Sequence, residues 1–307
     1  MSNTKPLLVC VVGPTAIGKT ALGIAIANHF STEIISADSR QFYSEMTIGT
    51  AVPTAAELAA VPHHFIQNRS IFEPYSVGDF ERDALVKLDE LFQSNDIVVM
   101  VGGSGLYVDA VVHGLNTFPN VPNSVREQLK LELESHGLIP LQKELQEKDP
   151  QYYDQVDLQN AHRVIRALEV IRASGTSFSS FLNQPKPERA FETLYVGLDA
   201  DRPLVYDRIN KRVDMMMEAG LLEEAKQLYE HKDLNALQTV GYSELFRFLD
   251  RELTLEEAIS EIKKNTRRFA KRQGTWFRKN PEIHWFQHTA PVNDILSFIE
   301  HKNAGPN

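Results

Sequence analysis

The chain has 307 residues, 42% of them apolar and 24% charged, with a net charge of −9. That length suits about two domains around a sizeable core, and the composition is that of a globular rather than a disordered protein. A single cysteine excludes internal disulfides and a cysteine-based zinc site, and no apolar run approaches the ~20 residues of a membrane span.

The first residues, MSNTKP, carry no signal-peptide pattern, so a cytoplasmic protein is expected. Residues 7–12, LLVCVV, form a continuous apolar run, as in a strand buried on both faces of a parallel sheet. Gly13, Pro14, Thr15, Ala16, Ile17, Gly18, Lys19 and Thr20 follow as G-x-x-x-x-G-K-T. Its glycines let successive N–H groups face an anion, Lys19 adds a point charge, and the Thr20 hydroxyl can ligate a divalent metal. The pattern 21–29 reads as a helix whose N-terminus favours negative charge.

Residues 33–39 read as a second strand ending in polar residues that include Asp38. Residues 96–101 read as a third, running into Gly102-Gly103-Ser104-Gly105. A nucleotide hydrolase commonly ends such a strand in an acidic residue that holds magnesium, and none stands there. Residues 193–198 and 283–286 read as the last two strands. Strands alternating with helices predict a parallel α/β sheet of the P-loop type, with its ligands at the carboxyl ends of the strands. Residues 118–187 break the rhythm: they lie between the Pro-rich runs TFPNVPNS and NQPKPE and show only helical patterning. An inserted α-helical domain is expected there, with 1–117 and 188–307 forming the catalytic core.

Three basic sets stand out. His162, Arg163 and Arg166 lie on one predicted helix, with Glu169 as a neighbouring ion-pair partner. Arg208 and Arg212 are four apart on another. Between Lys263 and Lys279 there are eight basic residues and no acidic one. On a helix, Lys263, Arg267 and Lys271 form one row and Lys264, Arg268 and Arg272 the next, with Ile259, Ile262 and Phe269 opposite. Trp276 and Arg278 follow. An uncompensated basic face of this kind points to phosphate backbone. The pair His63-His64 lacks metal-ligand spacing and reads as structural.

The segments GPTAIGKT, ISADSRQFY, IGTA, VGGSGLY, RALEV, VGY and AKRQGTWFR occur here in the order seen in tRNA dimethylallyltransferases, which the chain resembles over nearly its whole length. The resemblance implies transfer of a five-carbon isoprenoid from dimethylallyl diphosphate, with Mg2+, to N6 of the adenosine just 3′ of the anticodon (position 37). The phosphate loop would then hold the donor's diphosphate. It also implies that residues 13–20 and Arg212 bind the diphosphate, with Lys19 and Arg212 stabilising the leaving group and Thr20 at the magnesium. Asp38 corresponds to the general base. Ser39, Arg40, Gln41, Ser104, His162, Arg163, Arg166, Gln238, Gly241 and Tyr242 correspond to positions near the tRNA. Lys264, Arg267, Arg268, Lys271, Arg272 and Arg278 join them from the basic helix. Ser104 is commonly Thr in that family, which keeps the hydroxyl. Eukaryotic relatives often carry a C-terminal zinc finger that this sequence lacks, so the bacterial type is expected, acting as a monomer and without a membrane. The rival readings are a nucleotide or nucleoside kinase, an adenylate isopentenyltransferase acting on free AMP, and a non-catalytic RNA-binding nucleotide sensor.

Overall fold

The structure, a computed structural model, describes residues 5–182 and 184–303. The first four residues of MSNTKP and Asn183 of NQPKPE therefore lie outside the described residues. The chain divides into two compact units, one formed by Met1–Val112 with Arg189–Asn307 and the other by His113–Glu188.

The first unit is built on six parallel strands: β1 (Leu7–Val12), β2 (Ile34–Ser36), β3 (His63–His64), β4 (Ile97–Val101), β5 (Glu192–Asp199) and β6 (His284–Gln287). Their order across the sheet is β3-β2-β4-β1-β5-β6. All six residues of β1 are buried, and β1 pairs with β4 on one side and β5 on the other. Alternate β1 residues feed two separate cores, Leu8, Cys10 and Val12 on one face and Leu7, Val9 and Val11 on the other. A strand with apolar residues at every position is what a sheet covered on both faces requires.

β2 is shorter than its apolar run suggests. It ends at Ser36, and the chain turns just beyond it, where the Arg40 N–H donates to the Asp38 carboxylate at 3.1 Å. Asp and Asn side chains close turns of this kind readily. Asp38 thus sits on the turn just past the strand. The two-residue β3 has no period of its own to betray it in sequence.

The helices of this unit that precede the insertion are α1 (Lys19–His29), α2 (Ala55–Ala60), α3 (Val77–Leu91) and α4 (Gly105–His113). The second unit holds α5 (Asn123–His136), α6 (Leu138–Lys148), α7 (Pro150–Tyr153), α8 (Ala161–Ser174) and α9 (Phe178–Leu182) around a core that includes Leu129, Leu145, Leu168 and Phe178. The chain then returns through α10 (Arg202–Glu218), α11 (Leu221–Leu228), α12 (Tyr242–Leu249), α13 (Leu255–Phe277) and α14 (Val292–Asn303). α13 starts at a reciprocal cap between Thr254 and Glu257, which satisfies two of the helix's orphan N–H groups. No described helix is long and apolar enough to cross a membrane.

Candidate active site

The carboxyl ends of β1, β2 and β4 deliver three loops to one edge of the sheet. After β1 the backbone enters the left-handed region at Gly13 (φ 142°) and again at Gly18 (φ 110°), the N-cap of α1. A Cβ at Gly13 would lie 2.5 Å from the Leu198 carbonyl of β5, so only glycine fits. The Lys19 ammonium donates to the Pro14 carbonyl at 2.8 Å, across the loop it belongs to. Arg208 donates to the Ile17 carbonyl at 3.3 Å and braces the same loop from α10.

The other two loops interlock around Asp38. A Cβ on Gly102 would sit 2.4 Å from the Ala37 carbonyl, so the β4 loop lies directly on the Asp38 segment. The Ser39 N–H donates to the Ser104 hydroxyl at 3.1 Å. Gln41 donates from its side-chain amide to the carbonyls of Thr50 and Ala51, at 3.2 and 2.9 Å. Arg40 donates through Nη1 to the carbonyls of Asn235 and Ala236.

Two cavities open over these loops. One, of about 330 Å³, is walled by the phosphate loop with Lys19 and Thr20, and by Ser36, Glu57, His63 and Gly103. The other, of about 470 Å³, is walled by Ser39, Arg40, Gln238, Gly241, Phe269 and Arg272. Thr15, Asp38, Thr50, Ala51 and Arg212 line both. Asp38 therefore stands where a group held in one cavity meets a group held in the other.

The electrostatics of that junction follow from burial. Desolvation pushes the Lys19 ammonium down to about 8, with the nearby Asp38 opposing the fall and Arg212 adding to it. Desolvation raises the Asp38 carboxyl, against the Arg40 N–H and the charges of Lys19, Arg40 and Arg212. Arg212 is lowered by burial and supported by Glu57 and Asp38. A carboxylate raised by burial and flanked by cations is a competent proton acceptor.

Several expected contacts fall elsewhere. Tyr242 is fully buried and its hydroxyl donates to Glu224 at 2.5 Å, so its side chain is core and is not available to an RNA. Gln41 is spent on the Thr50–Ala51 loop and faces the phosphate-loop cavity. Gln238 donates to the Lys232 carbonyl at 2.6 Å while still lining the larger cavity. The Gly241 N–H donates to Glu244 at 2.8 Å.

The basic helix is less uncompensated than its sequence implies, because its acidic partners lie outside residues 263–279. Lys263 pairs with Asp214, Lys264 with Glu261 and Arg278 with Asp199. Arg267 donates to Asn210 at 2.7 Å and Arg268 to Asn265 at 3.2 Å. Lys271 and Arg272 have no ion pair among the described residues. Phe269, expected on the apolar side, is 38% exposed and lines the larger cavity, with the Arg272 guanidinium 5.6 Å from its ring. In the second unit His162 and Arg163 are exposed. Arg166 shares the buried Glu169 with Arg126, a partner that no pattern in the sequence flagged.

Sequence reasoning also missed two residues inside the site. Gln273, on the inner face of α13, accepts from the Thr15 N–H and donates to the Gly103 carbonyl, each at 2.9 Å. His63 lines the phosphate-loop cavity. Its Nδ1 donates to the Val61 carbonyl at 2.7 Å, which leaves Nε2 as a buried acceptor without a partner. Neither carries a spacing signal. Among the described residues no group of three or more His, Cys, Asp or Glu side chains is placed to hold a metal.

Residues 41–280 match the family model described as IPP transferase. The chain belongs to that family. A tRNA dimethylallyltransferase of Christiangramia forsetii is 60% identical over 302 residues, spanning 98% of this chain and 99% of that relative. A second, of Flavobacterium psychrophilum, is 54% identical over 301 residues, 96% and 98% of the two chains. Among solved structures, the tRNA isopentenylpyrophosphate transferase of Bacillus halodurans is 39% identical, with a TM-score of 0.73 over 98% of this chain and 97% of its own. A eukaryotic dimethylallyltransferase shares the fold at a TM-score of 0.82 and 24% identity, over 98% of this chain and 80% of its own. The IPP transferase fold thus extends over both units described above.

Proposed function

We propose that this IPP transferase family member moves the dimethylallyl group of dimethylallyl diphosphate onto N6 of the adenosine just 3′ of the anticodon in tRNA, releasing diphosphate. The observation that carries the reading is the junction: a phosphate-loop cavity and a larger cavity beside the basic helix share Asp38 and Arg212.

An exocyclic adenine amine is a weak nucleophile, since its lone pair is delocalised into the ring. It needs a base for its proton and an electrophile already disposed to ionise. Asp38 takes the proton of the N6 amine as the new C–N bond forms. The allylic C–O bond breaks, and its electrons leave with the diphosphate. Lys19, Arg212 and the loop N–H groups stabilise the charge that gathers there. Thr20 and the diphosphate oxygens form a donor set that fits Mg2+, a hard ion that takes few protein ligands alongside substrate phosphates. Bound there, it would add Lewis-acid stabilisation of the leaving group. The adenine must leave its stack to reach Asp38, at a cost of about a few kcal/mol. His162, Arg163, Arg166, Lys271 and Arg272 are proposed to hold RNA, the first three from an inserted RNA-binding domain.

The test is incubation with labelled dimethylallyl diphosphate, unmodified tRNA and Mg2+, followed by mass analysis of the nucleosides. Label on adenosine of the tRNA supports the reading. Label on free AMP alone, or phosphorylation of a nucleotide by ATP, replaces it with one of the rivals.

A further inference from the structure

Gln273 is the one polar side chain on the inner face of α13 that is buried, at 7% exposure. Both ends of its amide are used. Oε1 accepts from the Thr15 N–H, and Nε2 donates to the Gly103 carbonyl. Swapping the ends would set an amide N–H against an N–H and an oxygen against a carbonyl, so the orientation is forced. The fit is close enough to dictate neighbouring residues. A Cβ on Gly103 would meet Nε2 at 2.4 Å, and two residues on, a Cβ on Gly105 would meet the Trp276 ring at 2.3 Å.

The two loops so joined emerge from the adjacent strands β1 and β4. Thr15 lines both cavities, and Gly103 lies beside the Lys19 ammonium, whose nitrogen would be 3.6 Å from a Cβ placed there. On the same helix, Thr266, Phe269 and Arg272 wall the larger cavity. The Thr15 N–H is occupied by Gln273 and is not among those free to face a phosphate.

We propose that Gln273 is a positioning residue: a strut from α13 that fixes the phosphate loop against the β4 loop in the form that binds the donor's diphosphate. The proposal rests on the reading of the loop as a diphosphate site but not on the identity of the acceptor. A loop displaced by about 1 Å costs on the order of 10²-fold in a reaction that depends on placement.

The test uses the full chain with Gln273→Met, which keeps length and bulk but neither hydrogen bond, and Gln273→Glu, which keeps the acceptor for Thr15 and sets an oxygen against the Gly103 carbonyl. Inorganic pyrophosphate with Mg2+ is titrated calorimetrically, a readout that needs no acceptor. Both variants should bind it roughly 10-fold or more weakly, and kcat/KM for the donor should fall by about 10–100-fold. KM for tRNA should stay within about twofold of the parent. If Gln273→Met does not fold, Gln273→Glu carries the test alone. Pyrophosphate affinity and donor kcat/KM within about threefold of the parent, in a folded variant, would overturn the proposal and leave Gln273 as packing. A parent chain that binds pyrophosphate yet labels no tRNA would instead count against the proposed function and leave this inference standing.

Discussion

Lys19 and Asp38 each support the charge that burial opposes in the other. The ammonium falls to about 8 and would fall further without the carboxylate, and the carboxyl rises less than burial alone would raise it because of the ammonium. For the donor's kcat/KM this predicts a bell: an acid limb above the ordinary carboxylate range as Asp38 loses its charge, and a basic limb at about 8 as Lys19 loses its proton. The stability dependence has a different sign. Lys19 is easier to deprotonate folded than unfolded, so between about 8 and its ordinary 10.5 the unfolded chain holds more protons and stability rises with pH. Asp38 works the opposite way, folded stability falling as pH rises from the ordinary carboxylate value through its raised one. Activity should therefore drop above pH 8 without thermal destabilisation from this site. Paired rate and melting profiles check it, and a basic limb unchanged in Lys19→Met would reject Lys19 as its source.

Asp38→Asn keeps the shape of the turn and an oxygen for the Arg40 N–H. It cannot take a proton. Single-turnover transfer should slow by about 10²–10⁴-fold, the usual worth of a positioned base. Binding of tRNA and of donor should change far less, because the lost interaction matters in the transition state. An Asp38 that only closed the turn would show the reverse: near-normal turnover in a chain of lower melting temperature.

The phosphate loop and the central strands were legible because their signals are local. A buried strand reads as an apolar run, and G-x-x-x-x-G-K-T fixes its own loop. Asp38 was legible as a polar residue at a strand end. Gln273 was not, since its meaning depends on Thr15 and Gly103, which lie 258 and 170 residues away. The basic helix misled for the same reason. A count of charges within one segment cannot see Asp214 of α10 or Asp199 of β5, which neutralise Lys263 and Arg278. Phe269 was misplaced because helical periodicity assigns a face but not what lies beyond it, and here a cavity lies beyond it.

Arg267 and Arg268 are held by Asn210 and Asn265, and Lys271 and Arg272 are the cations of α13 with neither an ion pair nor a side-chain hydrogen bond among the described residues, so they should contribute most to RNA binding. Replacing both with Gln should weaken tRNA binding and flatten its log–log salt dependence by roughly 0.7–0.9 per lost phosphate contact. Replacing Lys263 and Lys264, already paired with Asp214 and Glu261, should change the slope much less. Equal effects from the two pairs would show that the intramolecular partners yield to RNA.

Glu224 holds the loop that leads into Thr50 and Ala51, which line both cavities. Its carboxylate accepts from the N–H groups of Thr47, Ile48 and Gly49 at 3.0, 2.8 and 2.9 Å, and from the Tyr242 hydroxyl at 2.5 Å. Gly49 lies flat on the Tyr242 ring, where a Cβ would come within 2.5 Å. Burial and the adjacent carboxylate both raise the Tyr242 phenol, so it stays a donor throughout the working range. Glu224→Gln puts an NH2 group where a second oxygen stood, and at least one of the four donors is left unpaired. A lost partner for a buried polar group costs about 1–3 kcal/mol. The melting temperature should fall accordingly, by roughly 2–4 °C per kcal/mol for a domain of this size class. Because Thr50 and Ala51 continue from this loop into both cavities, KM for donor and for tRNA should rise together, unlike the donor-only effect expected at Gln273. Tyr242→Phe removes one donor and leaves the other three bonds, so it should cost less. The two changes share a partner, so their combined effect should miss the sum of the single effects by about 0.5–3 kcal/mol in a double-mutant cycle. Strict additivity would mean that Glu224 and Tyr242 act separately and that the loop is held by its backbone alone.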